Sequence, residues 1–201
     1  MKELGKGETY FDEKTDGYIP IPPGVYPAHA KTLEIRDRKG DGTPFANNCK
    51  VFDVTFQIAD EVGTMQVPHL IRNGDNTFTQ SSDTDGNPST VNGSFLKGKH
   101  FRSNGVWITP NPNEGEGWRN RRYIEFFQGC GVDFPEQDGK KRVMEIEESD
   151  IIGMPVLVKL VNETYTNMEG EERVTMKVSD TLPWADGTKL DAAELTEDVP
   201  F

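Results

Sequence analysis

The clearest hydrophobic pattern along the chain lies in the stretch CKVFDVTFQIAD. Phe52, Val54, Phe56 and Ile58 alternate there with polar residues. In an extended backbone, successive side chains point to opposite faces, so an alternation of apolar and polar residues makes one face apolar and the other polar. The sequence therefore predicts a half-buried β-strand in this stretch.

Two further strands are predicted on either side of this one. In GVYPAHAKTLEIRD, the residues Val25, Leu33 and Ile35 share one parity, as side chains on one face of a strand do. MQVPHLIRN is the predicted partner on the other side, after the turn EVGT. Pro68 within it indicates an edge position or a bulge, because proline cannot donate a ladder hydrogen bond.

The second half of the chain combines a helical pattern with a hairpin pattern. In WRNRRYIEFFQGCG, the residues Tyr123, Phe126, Phe127 and Cys130 recur at the spacing of one helix face, and glycines follow as stop signals. The segment DIIGMPVLVKLVNETYTNMEGEERVTMKV then alternates on both sides of NMEGEE, which is rich in turn formers. We expect an amphipathic helix followed by a β-hairpin.

This order of elements predicts a fold that is mainly β. Three strands, one inter-strand helix and two closing strands match a five-stranded Greek-key barrel of the OB type, although other small β-barrels give similar patterns. Long polar loops are expected at 37–48 and 73–93. We expect a flexible arm over residues 1–18, the barrel domain over 19–184, and a disordered acidic tail over 185–201.

Composition supports one modest core, and the charge is unevenly distributed. Hydrophobic residues make up 34% of the chain, below the roughly 45–50% typical of globular domains, and the net charge is -12. Residues 97–122 nevertheless carry six basic and two acidic side chains, whereas residues 185–201 carry five acidic and one basic. The overall acidity argues against nucleic acid, but the basic stretch supplies a local surface that phosphates require.

Motifs of the common enzyme classes are missing from the sequence. It contains no GxxxxGK[ST] phosphate loop, no HExxH, no GxSxG and no glycine-rich dinucleotide turn. Its three histidines and two cysteines are scattered singly, without the short spacings of structural zinc sites. We therefore expect no enzyme activity, no metal and no cofactor. No apolar run approaches membrane-spanning length, so a cytoplasmic protein is expected, and its oligomeric state is left open.

The basic stretch combines cations with aromatic rings, which is the pairing that grips single-stranded nucleic acid through phosphates and stacked bases. Phe126 and Phe127 are expected in the core, and burial of Trp107 in GVWI competes with a stacking role. The candidate nucleic-acid contacts are Arg36, Arg38, Lys39, Lys97, Lys99, Phe101, Arg102, Trp107, Trp118, Arg119, Arg121 and Arg122.

The sequence ends in TEDVPF, where acidic residues precede an aromatic ring. This ending resembles the acidic Pro-Phe tip of bacterial and bacteriophage single-stranded-DNA-binding proteins. Three longer segments are also similar in pattern to the phage-encoded members: PPGVYPAHAKTLEIRD, RRYIEFFQGCGV and the closing hairpin. The resemblance implies an OB barrel, DNA held on its basic and aromatic face, and a tip that recruits replication and recombination proteins. The tip residues are Glu197, Asp198, Val199, Pro200 and Phe201.

The resemblance further implies a protein that coats single-stranded DNA without strong sequence preference, in the host cytoplasm if it is phage-encoded. A second hypothesis comes from a different class. The long loops and the acidic tail are also typical of a virion or scaffold β-domain that binds protein surfaces and no nucleic acid.

Overall fold

The computed structural model describes residues 20–73, 78–110, 117–167, 170 and 172–195. The expected N-terminal arm (1–18) and the docking tip (197–201) lie outside these described residues. The chain divides into two compact units. The larger comprises Pro23–Gln66 and Asn92–Phe201, and the smaller comprises Met1–Pro22 and Val67–Val91. Within the described residues, no helix is both long enough and apolar enough to cross a lipid bilayer.

The structure is mainly β, as the sequence predicts. Its strands are β1 (Gly24–Arg36), β2 (Lys50–Ile58), β3 (Gln66–Pro68), β4 (Leu70–Arg72), β5 (Phe78–Gln80), β6 (Thr90–Asn92), β7 (His100–Arg102), β8 (Val106–Ile108), β9 (Glu136–Gln137), β10 (Lys140–Lys141), β11 (Pro155–Thr166) and β12 (Glu172–Pro183). Its α-helices are α1 (Arg121–Gly129) and the single turn α2 (Glu148–Ile151). Short 3₁₀ helices cover Ala46–Asn48, Asp60–Thr64, Gly93–Leu96, Gly117–Asn120 and Ala192–Glu194.

The larger unit is built on one sheet in the order β12-β11-β1-β2-β7, with β8 also paired to β2. Counting β7 and β8 as one interrupted third strand, the first four strands lie in the spatial order 4-1-2-3 of a Greek key. A parallel bridge joins Ser103 to Val178 of β12, and the backbone N–H of Asn104 donates to the Val178 carbonyl at 3.1 Å. These contacts bring the two edges of the sheet together, so it forms a nearly closed barrel.

The barrel core follows the alternation predicted for β2. Phe52, Val54 and Phe56 are fully buried and Ile58 is 1% exposed. Each buried aliphatic or aromatic side chain contributes about 1.5–3 kcal/mol relative to an exposed position. The alternation in this strand therefore identifies its inward face correctly.

In β1 the shared parity of Val25 and Ile35 does not mark the inward face. Both side chains are about two-fifths exposed, whereas Ala28 and Ala30 are fully buried. A register shift between Ala30 and Thr32 interrupts the strand. Because a bulge changes which side chains face the core, a single parity cannot describe both halves of this strand.

The predicted helix forms as α1 and packs between β12 and the end of β8. Tyr123, Phe126 and Phe127 are buried, as expected for its apolar face. The ring of Phe52 packs edge to face against those of Tyr123 and Phe127, with ring centroids 5.1 Å and 5.7 Å apart. The helix thus closes the barrel with an aromatic cluster that is continuous with β2.

The predicted third strand is wrong in position. MQVPHLIRN forms the short strands β3 and β4, which pair with β6 and β5 rather than with the barrel sheet. Pro68 ends β3, which fits its inability to donate to a ladder. The third barrel strand comes instead from the basic stretch, because β7 and β8 lie in HFRSNGVWI. The predicted hairpin is confirmed as β11 paired with β12 from Val156 to Thr166 and from Glu172 to Pro183, whereas the start of the predicted segment, at residues 150–151, belongs to α2.

Candidate nucleic-acid interface

The larger unit carries a polar groove of about 530 Å³ on the outer face of β1, β2, β8 and β12. We call it the Trp107 groove. Most of its walls come from strand residues, and Ser103, Asn104 and Gly105 come from the link between β7 and β8. It is lined by Glu34, Arg36, Val51, Asp53, Arg102, Ser103, Asn104, Gly105, Trp107 and Lys177. Three cations and one indole ring therefore share one concave surface.

Asp53 is the anchor of this groove. Its side chain is only 6% exposed, and its Oδ2 accepts from Arg36 Nη2 at 2.6 Å and from Arg36 Nε at 3.0 Å. The same oxygen lies 3.1 Å from Arg102 Nη2. A buried carboxylate needs such partners, since burial of an unpaired charge is costly. Asp53 thus fixes two guanidinium groups whose side chains are 44% and 50% exposed.

Two further carboxylates, the exposed Glu34 and the partly buried Glu163, complete the ion pairs around the groove. Glu34 Oε2 lies 2.5 Å from Arg102 Nη2, and Glu163 Oε2 lies 2.8 Å from Lys177 Nζ. The hydrogen bond from Lys177, together with one from Asn104, lowers the pKa of Glu163 below its usual value. Each of the three cations is therefore paired with a carboxylate.

Trp107 is exposed, contrary to the expectation that GVWI is more often buried. Its neighbours in β8, Val106 and Ile108, point into the core, so Trp107 points outward and is 49% exposed. The ring of Phe45 packs edge to face against it, with centroids 4.8 Å apart. This contact holds the indole in place while about half of the residue's surface stays exposed. Phe101, by contrast, is 7% exposed and belongs to the core.

A second set of candidates lies at the start of α1, and we call it the α1 basic cluster: Trp118, Arg119, Arg121 and Arg122. Trp118 is 68% exposed, and the guanidinium of Arg119 lies 5.1 Å from the centre of its ring. Arg121 Nε donates to Glu125 Oε1 at 2.7 Å, which raises the arginine pKa further. Arg122 Nη2 donates to the carbonyl of Ser179 at 3.1 Å.

Asn120 ties the α1 basic cluster to the barrel. It is 1% exposed, and its side-chain amide accepts from the Thr109 backbone N–H at 2.7 Å and donates to the Thr109 carbonyl at 2.9 Å. Thr109 directly follows β8, so Asn120 sets where the helix begins relative to the third strand. The run WRNRRY hides this buried residue among cations, and sequence reasoning did not identify it.

Below the α1 basic cluster lies a cavity of about 470 Å³ between α1 and β10. Pro110, Ile124 and Val143 give it an apolar floor. Arg121, Lys140 and Lys141 stand at its edge, and Lys141 Nζ donates to Gln128 Oε1 at 2.8 Å. Glu125, the ion-pair partner of Arg121, also lines the cavity. The cavity therefore combines apolar groups with both signs of charge, and sequence reasoning missed it because its walls come from separate segments of the chain.

The remaining candidates lie in connecting segments rather than in the Trp107 groove. Arg38 and Lys39 lie in the loop between β1 and β2, where Arg38 Nη1 donates to the Gly42 carbonyl at 3.2 Å. Lys97 and Lys99 lie between a 3₁₀ helix and β7. The predicted basic stretch therefore contributes Arg102 and Trp107 to the groove and its four C-terminal members to the α1 basic cluster.

The groove also contains members that sequence reasoning missed: Glu34, Asp53 and Lys177. Strand parity places Asp53 on the outer face of β2, but no sequence signal shows that arginines from β1 and β7 converge on it. Comparisons with protein-family models and with curated protein sequences find no match to this chain. The geometry of the groove is therefore the basis for a functional proposal.

Proposed function

We propose that this protein binds single-stranded DNA through the Trp107 groove. The observation that carries the proposal is the convergence of Arg36, Arg102 and Lys177 around a half-exposed Trp107 on one concave strand face. Cations along a backbone track and an aromatic platform for a base are the two components of sequence-tolerant single-strand binding. Groove-facing guanidiniums suit phosphate oxygens because their N–H donors form a planar fork.

We further propose that the barrel is of the OB type. The Greek-key order of its first four strands, the fifth strand beside the fourth, and a helix between the third and fourth support this assignment. On an OB barrel, strands two and three and the loops after strands one and four bind oligonucleotides. In this chain those strands are β2 and β7–β8, and the first of those loops carries Phe45 against Trp107.

The proposed role is to coat single-stranded DNA during replication or recombination, in the manner of the phage and bacterial proteins that the sequence resembles. The acidic tip of residues 197–201 would then recruit replication and recombination proteins. Segregation of acids to residues 185–201 and cations to 97–122 supports this division of labour. The tip lies outside the described residues, so its docking role rests on its sequence alone.

Titration of the protein with a labelled oligo-dT at low salt tests the proposal. We expect saturable polarisation and a change in tryptophan fluorescence, and affinity that falls steeply as salt is added because released counterions drive phosphate binding. A duplex of the same length is the control, since its bases are not available for stacking. Unchanged polarisation with oligo-dT at low salt would refute the proposal.

A protein-binding β-domain of a virion or scaffold is the second candidate. The observation that favours it is Trp118, which is 68% exposed and directly follows Gly117 in the lining of the cavity at α1. Tryptophan and arginine are enriched where proteins dock. Co-sedimentation with assembled particles, together with no response to oligo-dT, would favour this function over DNA binding.

A further inference from the structure

The cations of the Trp107 groove differ in how firmly their partners are held. We propose that Glu34 and Glu163 are intramolecular competitors of phosphate, which must leave Arg102 and Lys177 before a DNA strand can occupy them. The inference rests on the proposed function and adds to it a mechanism that limits affinity. It follows from the burial and position of the three carboxylates.

Arg102 has one fixed partner and one that can move away. Its Nη2 lies 3.1 Å from Asp53 Oδ2 and 2.5 Å from Glu34 Oε2. Asp53 is 6% exposed and is also held by Arg36, so it stays in place. Glu34 is 57% exposed on a flexible side chain and can rotate into water at small cost. An incoming phosphate therefore takes the position of Glu34 and keeps the contact to Asp53.

Lys177, on β12, has Glu163 as its carboxylate partner. Its Nζ lies 2.8 Å from Glu163 Oε2, and the two side chains are 36% and 34% exposed. Asn104 donates to the other oxygen of Glu163 at 3.1 Å, which holds the carboxylate beside the groove. A phosphate at Lys177 must exchange with Glu163 in the same way.

Exchange has different energetics from binding to an unpaired cation. Each phosphate gained by the groove costs one existing ion pair, and the freed carboxylate remains near a negatively charged strand. The net gain per contact is therefore small, and the freed carboxylate takes up solution cations that offset those released from DNA. We expect moderate affinity and rapid release. We also expect the logarithm of the affinity to fall less steeply with the logarithm of the salt concentration than three unpaired cations would give, at about 0.7 per phosphate for single strands.

A double-mutant cycle on oligo-dT binding tests the inference. Glu34→Gln should tighten binding roughly two- to fivefold, the range that corresponds to an exposed ion pair. Arg102→Gln should weaken binding about twofold in the natural protein, where Glu34 occupies the guanidinium, and about tenfold in the Glu34→Gln background. Glu136→Gln removes an exposed acid on β9, outside the groove, and is the matched control, with no effect expected.

The coupling between the two substitutions decides the outcome, because a general change in net charge would act additively. Additive effects of Glu34→Gln and Arg102→Gln, or equal tightening by Glu136→Gln, would overturn the inference while leaving DNA binding intact. Lack of oligo-dT binding by every variant would instead refute the proposed function and the inference with it. A second cycle with Glu163→Gln and Lys177→Gln repeats the test if Arg102→Gln fails to fold, as judged by urea denaturation.

Discussion

Trp107 is the residue whose removal most directly separates the proposed DNA binding from stability. We predict that Trp107→Ala weakens oligo-dT binding by about 1–3 kcal/mol, the contribution of one base stacked on an aromatic ring. The cost to folding should be smaller than for a core aromatic because the side chain is 49% exposed. Fluorescence polarisation measures the first effect and urea denaturation the second.

Trp118→Ala is the matched comparison for this prediction. It removes the same side chain from the α1 basic cluster, where it is 68% exposed. DNA bound in the Trp107 groove predicts a large loss for Trp107→Ala and a small one for Trp118→Ala. The reverse order would place the DNA along α1 and would contradict the proposal that DNA binds in the Trp107 groove.

Asp53 should matter more for stability than Glu34, the exposed carboxylate of the groove. Asp53→Asn keeps the size of the side chain but removes the charge that holds Arg36 and Arg102. We predict a loss of about 1–3 kcal/mol in the free energy of unfolding, since both arginines are about half exposed and can be rehydrated. Glu34→Gln should cost at most about 1 kcal/mol. Equal urea midpoints for the two variants would contradict this ranking.

At the residue scale, sequence reasoning identified types of side chain better than their partners. Arg36, Arg102 and Trp107 were candidates because cations and indoles have a recognisable chemistry. Asp53 and Glu34 were not, since their role depends on the register of β1 with β2 and of β2 with β7. The assumption that GVWI buries its tryptophan failed because strand alternation in β8 overrides the hydrophobicity of a single residue.

Among the elements, α1 depends on a close approach of backbones at Gly129. A Cβ added there would lie 2.3 Å from Thr181 Oγ1 and 2.5 Å from the Thr181 carbonyl oxygen. We predict that Gly129→Ala forces α1 away from β12 and costs about 1–3 kcal/mol, as overpacking of a core does. The higher helix propensity of alanine offsets only about 1 kcal/mol of this. Urea denaturation measures the difference.

Gly117→Ala is the control for this prediction. It lies in the 3₁₀ turn before α1, and an added Cβ would meet nothing within 4 Å. We expect its urea midpoint to equal that of the natural protein. If Gly129→Ala were equally harmless, the helix would not be fixed against β12 by this contact.

Elements with long periodic patterns were predictable, and short ones were not. The apolar face of α1 and the alternation of β2 each repeat several times, so they stand out from composition alone. β7 and β8 have three residues each, which is too few to establish a period. The sequence therefore gives no strand prediction for them, and it assigns the third barrel strand to MQVPHLIRN instead.

At the scale of the whole molecule, the order of elements predicted the architecture despite this error. Moving the third strand from residues 65–73 to β7–β8 preserves the sequence of three strands, a helix and two strands. Topology depends on that order and on antiparallel pairing of neighbours, so it tolerates an error in position. The prediction of the groove does not tolerate such an error, because its cations meet only when the strands of the sheet pair in the correct register.

The buried thiol and phenol groups of the larger unit make the stability of the fold depend on pH in the alkaline range. Burial raises the pKa of Cys130 from 9.0 to about 12 and that of Tyr26 from 10.0 to about 12. Burial raises the pKa of Tyr123 as well, and its hydroxyl donates to the Met144 carbonyl at 3.0 Å. All three groups hold their protons more tightly when folded than when unfolded.

The sign of the pH dependence follows from this difference in proton binding. Above pH 9 the unfolded chain loses the Cys130 proton, and above pH 10 it loses the phenolic protons, while the folded chain retains them to about pH 12. We therefore predict a free energy of unfolding that these groups leave unchanged up to about pH 9 and that falls steadily from there toward pH 12. Urea midpoints at constant ionic strength measure it. Cys130→Ala should delay the onset to about pH 10, where the tyrosines begin to titrate, and a flat profile to pH 11 would contradict the burial of these protons.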